Sequence, residues 1–133
     1  MQPTILIVED HDAVRRLLRE WLETVFPQCR VIEAASGEEA ITIAQAESPR
    51  VVVMDIGLQQ MNGIEATRRI KAAVPSTQVV MLTIHEAEAY RADAAAAGAS
   101  AYVPKRTMHT ELLPTLAALL SGQDEPEDVR RES

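Results

Sequence analysis

The chain has 133 residues, the size of one ordinary domain with a single buried core. Apolar residues make up 47% of the chain and aromatic residues only 3%, so this core must be aliphatic. A formal net charge of -7 argues against direct binding of a nucleic-acid backbone, which needs a basic face. The single cysteine, Cys29, excludes an internal disulfide.

The first residues carry no export or membrane pattern. They lack a basic stretch, and their apolar run, Ile5–Val8, is far shorter than a membrane span. We therefore expect neither a signal peptide nor a membrane helix, and a cytoplasmic location.

Apolar runs and helical patterns alternate along the chain. In chain order they predict strand Thr4–Val8, helix Asp12–Phe26, strand Arg30–Ala34, helix Ser36–Glu47, strand Val51–Met54, helix Gly63–Ala73, strand Gln78–Thr83, helix Ala87–Ala97, strand Ala101–Val103 and helix Met108–Leu120. Pro27 ends the first helix, Ser36 and Glu39 form a capping box, and Gly98 is a C-cap.

Five strands alternating with five helices predict an α/β fold, with a parallel sheet covered on both faces. Residues 1–121 are expected to form this domain. Residues 122–133 are polar, with five acids against two arginines, and are predicted to be a flexible acidic tail or linker.

Polar residues stand where the predicted strands end. Ligands of an open α/β sheet bind beyond the carboxyl ends of the strands, where strand order reverses. Five residues reach this edge after strands one, three, four and five: Glu9, Asp10, Asp55, Thr83 and Lys105. Three carboxylates would repel one another without a cation between them. Oxygen ligands without His or Cys favour a hard divalent cation, and magnesium above calcium.

A carboxylate nucleophile, magnesium, a lysine and a hydroxyl are the parts that phosphoryl transfer needs. Each residue alone has a plainer interpretation: a single Asp at a strand end is usually a cap, and a lone lysine a solvated surface residue. The joint arrangement favours phosphoryl transfer to Asp55.

Four segments carry a resemblance to a known family: ILIVEDHDAVRRLL, VVVMDIGLQQMNGIEATRRI, VVMLTIHE and GASAYVPK. Together they resemble the receiver domain of bacterial two-component response regulators, over about residues 3–121. The pattern is most similar to the NarL/LuxR type. The fold that this implies is flavodoxin-like, a (βα)5 doubly wound parallel sheet with strand order 2-1-3-4-5.

The resemblance implies a role for each residue at this edge. Asp55 would be the phosphoacceptor. Asp10 would bind Mg2+ directly and Glu9 through water, with Asp55 and the backbone carbonyl of Gly57 completing the ligands.

Three further residues would respond to the phosphoryl group. Lys105 and the Thr83 hydroxyl would bind its oxygens, and Tyr102 would be the aromatic switch, unless it is only an amphipathic ring at the sheet edge. His11 and His85 stand near the site, and we expect a plain surface role for both.

The chain departs from the family pattern in three places. Glu9 stands where Asp is more usual, which lengthens the arm to the metal. Gln59 and Gln60 replace a proline and a small residue, which favours a more mobile loop. Arg106 follows Lys105 where many relatives have proline, so no Lys–Pro bond is present.

The implied function is a switch that a sensor histidine kinase phosphorylates, not an enzyme. Its expected output is transcription through a C-terminal DNA-binding domain that this sequence lacks. We favour a receiver from a longer protein over a stand-alone receiver that acts by protein contact or in a phosphorelay. The resemblance also implies a homodimer that forms on phosphorylation.

Two other classes are less favoured. A phosphatase of the haloacid-dehalogenase type needs a second Asp where Gly57 stands. A flavin carrier needs a loop that holds phosphate, whereas Glu9 and Asp10 would repel one.

Overall fold

A computed structural model describes residues 2–122, arranged as a five-stranded parallel sheet with helices on both faces. The strands are β1 Thr4–Val8, β2 Arg30–Ala34, β3 Val51–Met54, β4 Gln78–Thr83 and β5 Ala101–Pro104. The helices are α1 Asp12–Val25, α2 Gly37–Glu47, α3 Gly63–Ala73, α4 Glu88–Ala97 and α5 Met108–Leu120. The strand order is β2-β1-β3-β4-β5, with every pairing parallel. The predicted fold is confirmed.

Each face of the sheet has its own aliphatic core, because successive strand residues point to opposite sides. In β1, Leu6 and Val8 pack with α2, α3 and α4, whereas Ile5 and Ile7 pack with α1 and α5. All four side chains are almost fully buried. The central strands are therefore fixed from both sides, and so is the position of the residue that follows each strand.

The first helix ends at Val25, one residue before the prediction, and its apolar stripe is only partly buried. Leu18 and Leu22 lie in the core, but Val14 and Leu17 are exposed. The helix ends early because Phe26 leaves helical geometry ahead of Pro27 while its N–H still bonds Leu22.

The later boundaries also differ slightly from the sequence prediction. Ala87 is the extended N-cap of α4, so the helix begins one residue later than predicted. β5 continues through Pro104, and a short 3-10 helix, Lys105–Thr107, follows it unpredicted. Gly98 caps α4 in the left-handed region, as predicted.

The predicted capping box is present in modified form. Ser36 Oγ accepts a hydrogen bond of 3.1 Å from the Glu39 N–H. The Glu39 carboxylate accepts from the N–H of Ala35 at 2.7 Å, one residue before the cap. Apart from Gly122, the predicted tail lies outside the described residues. None of the described helices is long and apolar enough to cross a membrane.

Candidate functional site

The carboxyl edge of the sheet buries polar residues beside one another. Glu9 follows β1 and is 1% exposed, Asp55 follows β3 and is 7% exposed, and Thr83 at the end of β4 is fully buried. The parallel pairing of β1 with β3 and of β3 with β4 brings these three strand ends together. The structure thus assembles the polar edge that the sequence predicts.

Lys105 lies between two of the carboxylates. Its Nζ is 3.1 Å from Glu9 Oε1 and 3.4 Å from Asp55 Oδ2. Burial opposes the charged lysine, but the facing carboxylates raise the pKa of Lys105. Burial likewise opposes the Glu9 carboxylate, yet hydrogen bonds from His11 and Lys105 lower its pKa. The two groups therefore form a partly buried ion pair.

Asp55 is held less favourably than Glu9. Burial raises its pKa, and this effect outweighs both the Gly57 N–H, which donates to Asp55 Oδ1 at 3.0 Å, and the charge on Lys105. The nearby charge of Glu9 raises the pKa of Asp55 further. One ammonium group does not balance the carboxylates around it, so the site favours an additional cation.

Asp10 provides the observation that tests the fit of a metal. Its Oδ2 accepts from the Gln59 N–H at 3.2 Å, but its Oδ1 is buried and accepts no hydrogen bond from the described residues. Glu9, Asp10 and His11 each have a ligand atom within 4.8 Å of the others. A buried carboxylate oxygen without a donor, in an acidic group, fits a hard divalent cation.

His11 has partners that the sequence did not indicate. Its Nδ1 lies 3.0 Å from Glu9 Oε2 and 3.3 Å from Asp10 Oδ1, although 77% of the side chain is exposed. The hydrogen bond to Glu9 raises the pKa of His11. His11 lies at the surface, as expected, but its ring also contacts both carboxylates that follow β1.

His85 joins Thr83 to Tyr102 through its backbone. Its N–H donates to Thr83 Oγ1 at 3.0 Å, and its carbonyl accepts from the Tyr102 hydroxyl. Its ring stacks on Tyr90, with centroids 4.6 Å apart. His85 therefore has contacts that the sequence did not indicate, and the role expected for it stays a prediction. Among the described residues, neither Thr83 nor Tyr102 hydrogen-bonds directly to Asp55.

Gly63 lies against residues 55–62, the loop between β3 and α3, which is called the acceptor loop after the role predicted for Asp55; the sequence reasoning missed this contact. A Cβ at Gly63 would lie 2.2 Å from the Asp55 carbonyl oxygen and 2.9 Å from Ile56 Cα. The loop can therefore pass over the start of α3 only where residue 63 has no side chain. A glycine in the first turn, behind the Asn62 N-cap, was the available signal, since glycine is a poor helix former.

Comparison with known proteins decides the family. The family described as response regulator receiver domain matches residues 5–117. The chain belongs to this family. The response regulator UvrY of Escherichia coli is 33% identical over 119 residues, which are 90% of this chain and 55% of that protein. The response regulator protein VraR of Staphylococcus aureus is 36% identical over 127 residues, 92% of this chain and 60% of VraR.

Solved structures agree with this assignment. A two-component response regulator of the LuxR family from an Aurantimonas species has a TM-score of 0.84 and 36% identity, covering 92% of this chain and 87% of that one. A CheY-like receiver domain protein from Methanospirillum hungatei has a TM-score of 0.85 and 26% identity, covering 94% and 98%. The predicted receiver family is confirmed, and the LuxR-family neighbour agrees with the predicted type. The chain spans little more than half the length of UvrY and VraR.

Proposed function

We propose that Asp55 is the phosphoacceptor of this receiver domain and that Mg2+ is required for the transfer. One observation carries the proposal: the buried Asp55 carboxylate lies 3.4 Å from the Lys105 ammonium, which also pairs with Glu9, a member of the acidic group with Asp10. A cluster of this kind is stable with a divalent cation, and its lysine is placed to meet an anion at Asp55.

The proposed ligands of the metal follow the strand ends. Asp10 and Asp55 bind it directly, Glu9 through water, and the Gly57 backbone carbonyl completes the protein ligands. The buried Oδ1 of Asp10, which accepts no hydrogen bond from the described residues, supports this assignment. Bound Mg2+ supplies positive charge for the phosphoryl oxygens during transfer.

The protein residues have separate tasks in the transfer. An Asp55 carboxylate oxygen forms a bond to phosphorus while the bond from phosphorus to the donor atom breaks, and that electron pair leaves with the donor. The Lys105 ammonium binds one phosphoryl oxygen, and the Thr83 hydroxyl donates a hydrogen bond to another. The product is an acyl phosphate on Asp55.

The switch proposed for Tyr102 runs through His85. Thr83 now accepts a hydrogen bond from the His85 N–H, while Tyr102 donates to the His85 carbonyl. If the Thr83 hydroxyl turns to a phosphoryl group, it gains a doubly charged partner and the His85 segment changes with it. We propose that this change alters the position of Tyr102.

The partners follow from the family. A sensor histidine kinase is the proposed phosphodonor, and the domain acts as a switch instead of an enzyme with a substrate of its own. For the whole protein we propose transcriptional output through a DNA-binding domain, which the LuxR-family similarity supports. A stand-alone receiver is the alternative, and the coding sequence beyond Ser133 distinguishes the two. A dimer and a cytoplasmic location remain predictions.

Phosphorylation by a small phosphodonor tests the central proposal. The wild type, Asp55→Asn and Asp93→Asn are incubated with acetyl phosphate and Mg2+, and intact mass is measured. Asp93 is an exposed acid on α4 and serves as the matched control. We expect the wild type and Asp93→Asn to gain one phosphoryl group that is stable in acid and labile in base, and Asp55→Asn to gain none.

Two outcomes contradict the proposal. One is a wild type that gains no phosphoryl group although it is folded. The other is an Asp55→Asn variant that gains as much as the wild type, which would place the acceptor elsewhere. Omission of Mg2+ should abolish the gain, and full transfer in a chelator would contradict the metal requirement.

A further inference from the structure

The residues that follow β1 are held by an arginine from the next helix. Glu9, Asp10 and His11 form the whole connection between β1 and α1. Arg15, in the first turns of α1, reaches back, and its Nη1 donates to the Glu9 backbone carbonyl at 2.8 Å. Only 15% of the Arg15 side chain is exposed. This contact joins the helix directly to the backbone that carries the acidic pair.

The other donors of Arg15 fix the guanidinium in two more directions. Nε donates to Glu33 Oε1 on β2 at 2.8 Å, and Nη2 donates to Asp12 Oδ1 at 2.7 Å. One planar group is thus tied to β2, to the start of α1 and to the end of β1. A guanidinium can do this because its donors are held in a rigid fork, whereas an ammonium is a compact point charge.

The contact between Arg15 and the Glu9 carbonyl matters because this carbonyl lies between the two acidic residues. The Glu9 carbonyl belongs to the planar peptide that joins Glu9 to Asp10, so its hydrogen bond to Arg15 restrains the backbone between the two carboxylates. On the other side of Glu9, its N–H bonds the Ala34 carbonyl at 3.2 Å. With Arg15 in place, the backbone is fixed on both sides of Glu9.

Two other hydrogen bonds fix the side chains of this connection: the His11 N–H donates to Glu9 Oε2 at 3.1 Å and the Gln59 N–H to Asp10 Oδ2 at 3.2 Å, and neither holds the Glu9 carbonyl. His11 is the N-cap of α1, but its side chain makes no capping hydrogen bond. Leu18 and Leu22 anchor the body of α1 in the core, one to two turns further along the helix. The helix can stay packed without Arg15, but the orientation of the Glu9–Asp10 peptide then loses its side-chain anchor.

We propose that Arg15 is a positioning residue that pre-organises Glu9 and Asp10 to bind a divalent cation. This inference rests on the proposed function, since it takes these residues as metal ligands. Groups that orient metal ligands are worth about 10- to 100-fold in metal affinity when they are removed. Arg15 acts through the backbone of the ligand pair and does not itself touch the metal or the phosphoryl group.

Arg19 offers a matched control on the same helix. Its Nη1 donates to the second oxygen of Glu33 at 2.8 Å, and its Nε pairs with Glu23 at 3.1 Å. Arg15 and Arg19 therefore share the Glu33 anchor. Only Arg15 also contacts the Glu9 carbonyl.

The experiment compares Mg2+ affinity in the wild type, Arg15→Met, Arg15→Lys and Arg19→Met. Isothermal titration calorimetry with MgCl2 gives the dissociation constant, and thermal unfolding followed by circular dichroism gives stability. We expect Arg15→Met to weaken Mg2+ binding about tenfold or more. Arg15→Lys should fall between Arg15→Met and the wild type. Arg19→Met should stay within about twofold of the wild type although it also loses a Glu33 pair.

The following outcomes would contradict the inference. Wild-type affinity in a folded Arg15→Met variant would show that the orientation of the peptide does not depend on Arg15. Equal weakening in Arg19→Met would assign the effect to the Glu33 pair or to general stability. If Arg15→Met does not fold, Arg15→Lys decides, and wild-type affinity there contradicts the inference.

The failure of this inference is distinguishable from the failure of the proposed function. If the wild type binds Mg2+ and is phosphorylated on Asp55 but Arg15→Met binds Mg2+ equally well, only the role of Arg15 fails. If the wild type itself binds no Mg2+, the proposed metal site fails and the role of Arg15 fails with it.

Discussion

At the amino edge of the sheet, the buried hydroxyl of Thr77 donates a hydrogen bond of 2.8 Å to the Pro49 carbonyl oxygen. At the carboxyl edge, the equally buried Glu9 carboxylate faces the Lys105 ammonium and the raised-pKa carboxylate of Asp55. The buried groups at the amino edge are neutral and form a hydrogen bond with each other. The buried charges at the carboxyl edge are only partly balanced, because one ammonium group faces two carboxylates.

This difference between the two edges shows that the carboxyl edge is the less stable part of the sheet. A neutral hydrogen bond in the interior is roughly neutral to stabilising, whereas like charges brought together in the interior cost free energy. Strained or charged groups persist where they serve a function, and the cost is met by packing elsewhere. The two cores on the faces of the sheet supply that packing here.

The largest expected loss of stability comes from adding a side chain at Gly63, which lies against the Asp55 backbone. In Gly63→Ala, the new Cβ would collide with the Asp55 carbonyl oxygen, which lies 2.2 Å from its ideal position. We expect a loss of about 3 kcal/mol in the free energy of unfolding, at the upper end of overpacking effects. Urea unfolding measures it, and phosphorylation should fall as the acceptor loop is displaced.

Gly57→Ala is the control for this prediction. A Cβ at Gly57 would be 3.7 Å from Asp55 Oδ1 and 3.8 Å from His85 Nε2, which are ordinary contacts. Its free energy of unfolding should change by less than about 1 kcal/mol. Equal losses in the two variants would show that close approach at Gly63 is not the cause.

A smaller loss of stability is expected from removing the Lys105 ammonium at the carboxyl edge. Lys105→Met leaves the buried Glu9 carboxylate without its lysine partner and should lower the free energy of unfolding by about 2 kcal/mol in a chelator. The expected loss is smaller than the loss on breaking a fully buried ion pair, because 24% of the Lys105 side chain is exposed. Mg2+ should recover part of the loss, since it supplies the missing charge.

Arg106→Met tests whether this effect is specific to Lys105. Arg106 pairs with Glu86, but 68% of its side chain is exposed, so its loss should change stability far less than the loss of Lys105. Mg2+ should stabilise Arg106→Met and the wild type equally. A Lys105→Met variant that is as stable as the wild type in chelator would contradict the account of the edge.

The smallest effects should differ in sign between the two edges. Thr77→Val removes the donor to the Pro49 carbonyl and should lower the free energy of unfolding by about 1 kcal/mol. Asp55→Asn removes an unfavourably buried charge and should raise it, within about 1 kcal/mol, when Mg2+ is chelated. Chemical unfolding at pH 7 measures both.

The pH dependence of Asp55→Asn follows from the raised pKa of Asp55. In the wild type, the stability linked to Asp55 is fully present below its unfolded pKa and is lost as pH rises through its folded pKa. The advantage of Asp55→Asn should therefore be greatest at neutral pH and disappear near and below about pH 4. A constant advantage at every pH would contradict the electrostatic explanation.

The sequence predicted the fold well because local and global signals agree. The run of β-branched residues in Val51–Met54 can be buried on both faces only in a covered parallel sheet. Parallel pairing then places the residues after β1, β3 and β5 at the same edge. Glu9, Asp55 and Lys105 are close together for this reason, and their proximity needed no resemblance to be predicted.

Several side-chain contacts in the site could not be predicted from the sequence. His11 was assigned to the surface because no partner is visible in a linear pattern, yet its ring meets two carboxylates. Arg15 was one arginine among several on α1, and its contact with the Glu9 carbonyl depends on the turn between strand and helix. Both contacts depend on local backbone geometry that residue types do not specify.

By itself, the sequence determined the order of strands and helices and the chemical groups at the carboxyl edge, because periodicity and strand ends are local properties. Only the tertiary structure decided how those groups pair. Lys105 reaches Glu9 across 96 residues, and one buried oxygen of Asp10 accepts no hydrogen bond from the part of the chain that the structure describes. Such distances and burial depend on how α1, β5 and the acceptor loop pack against the sheet, and this packing is a property of the whole chain.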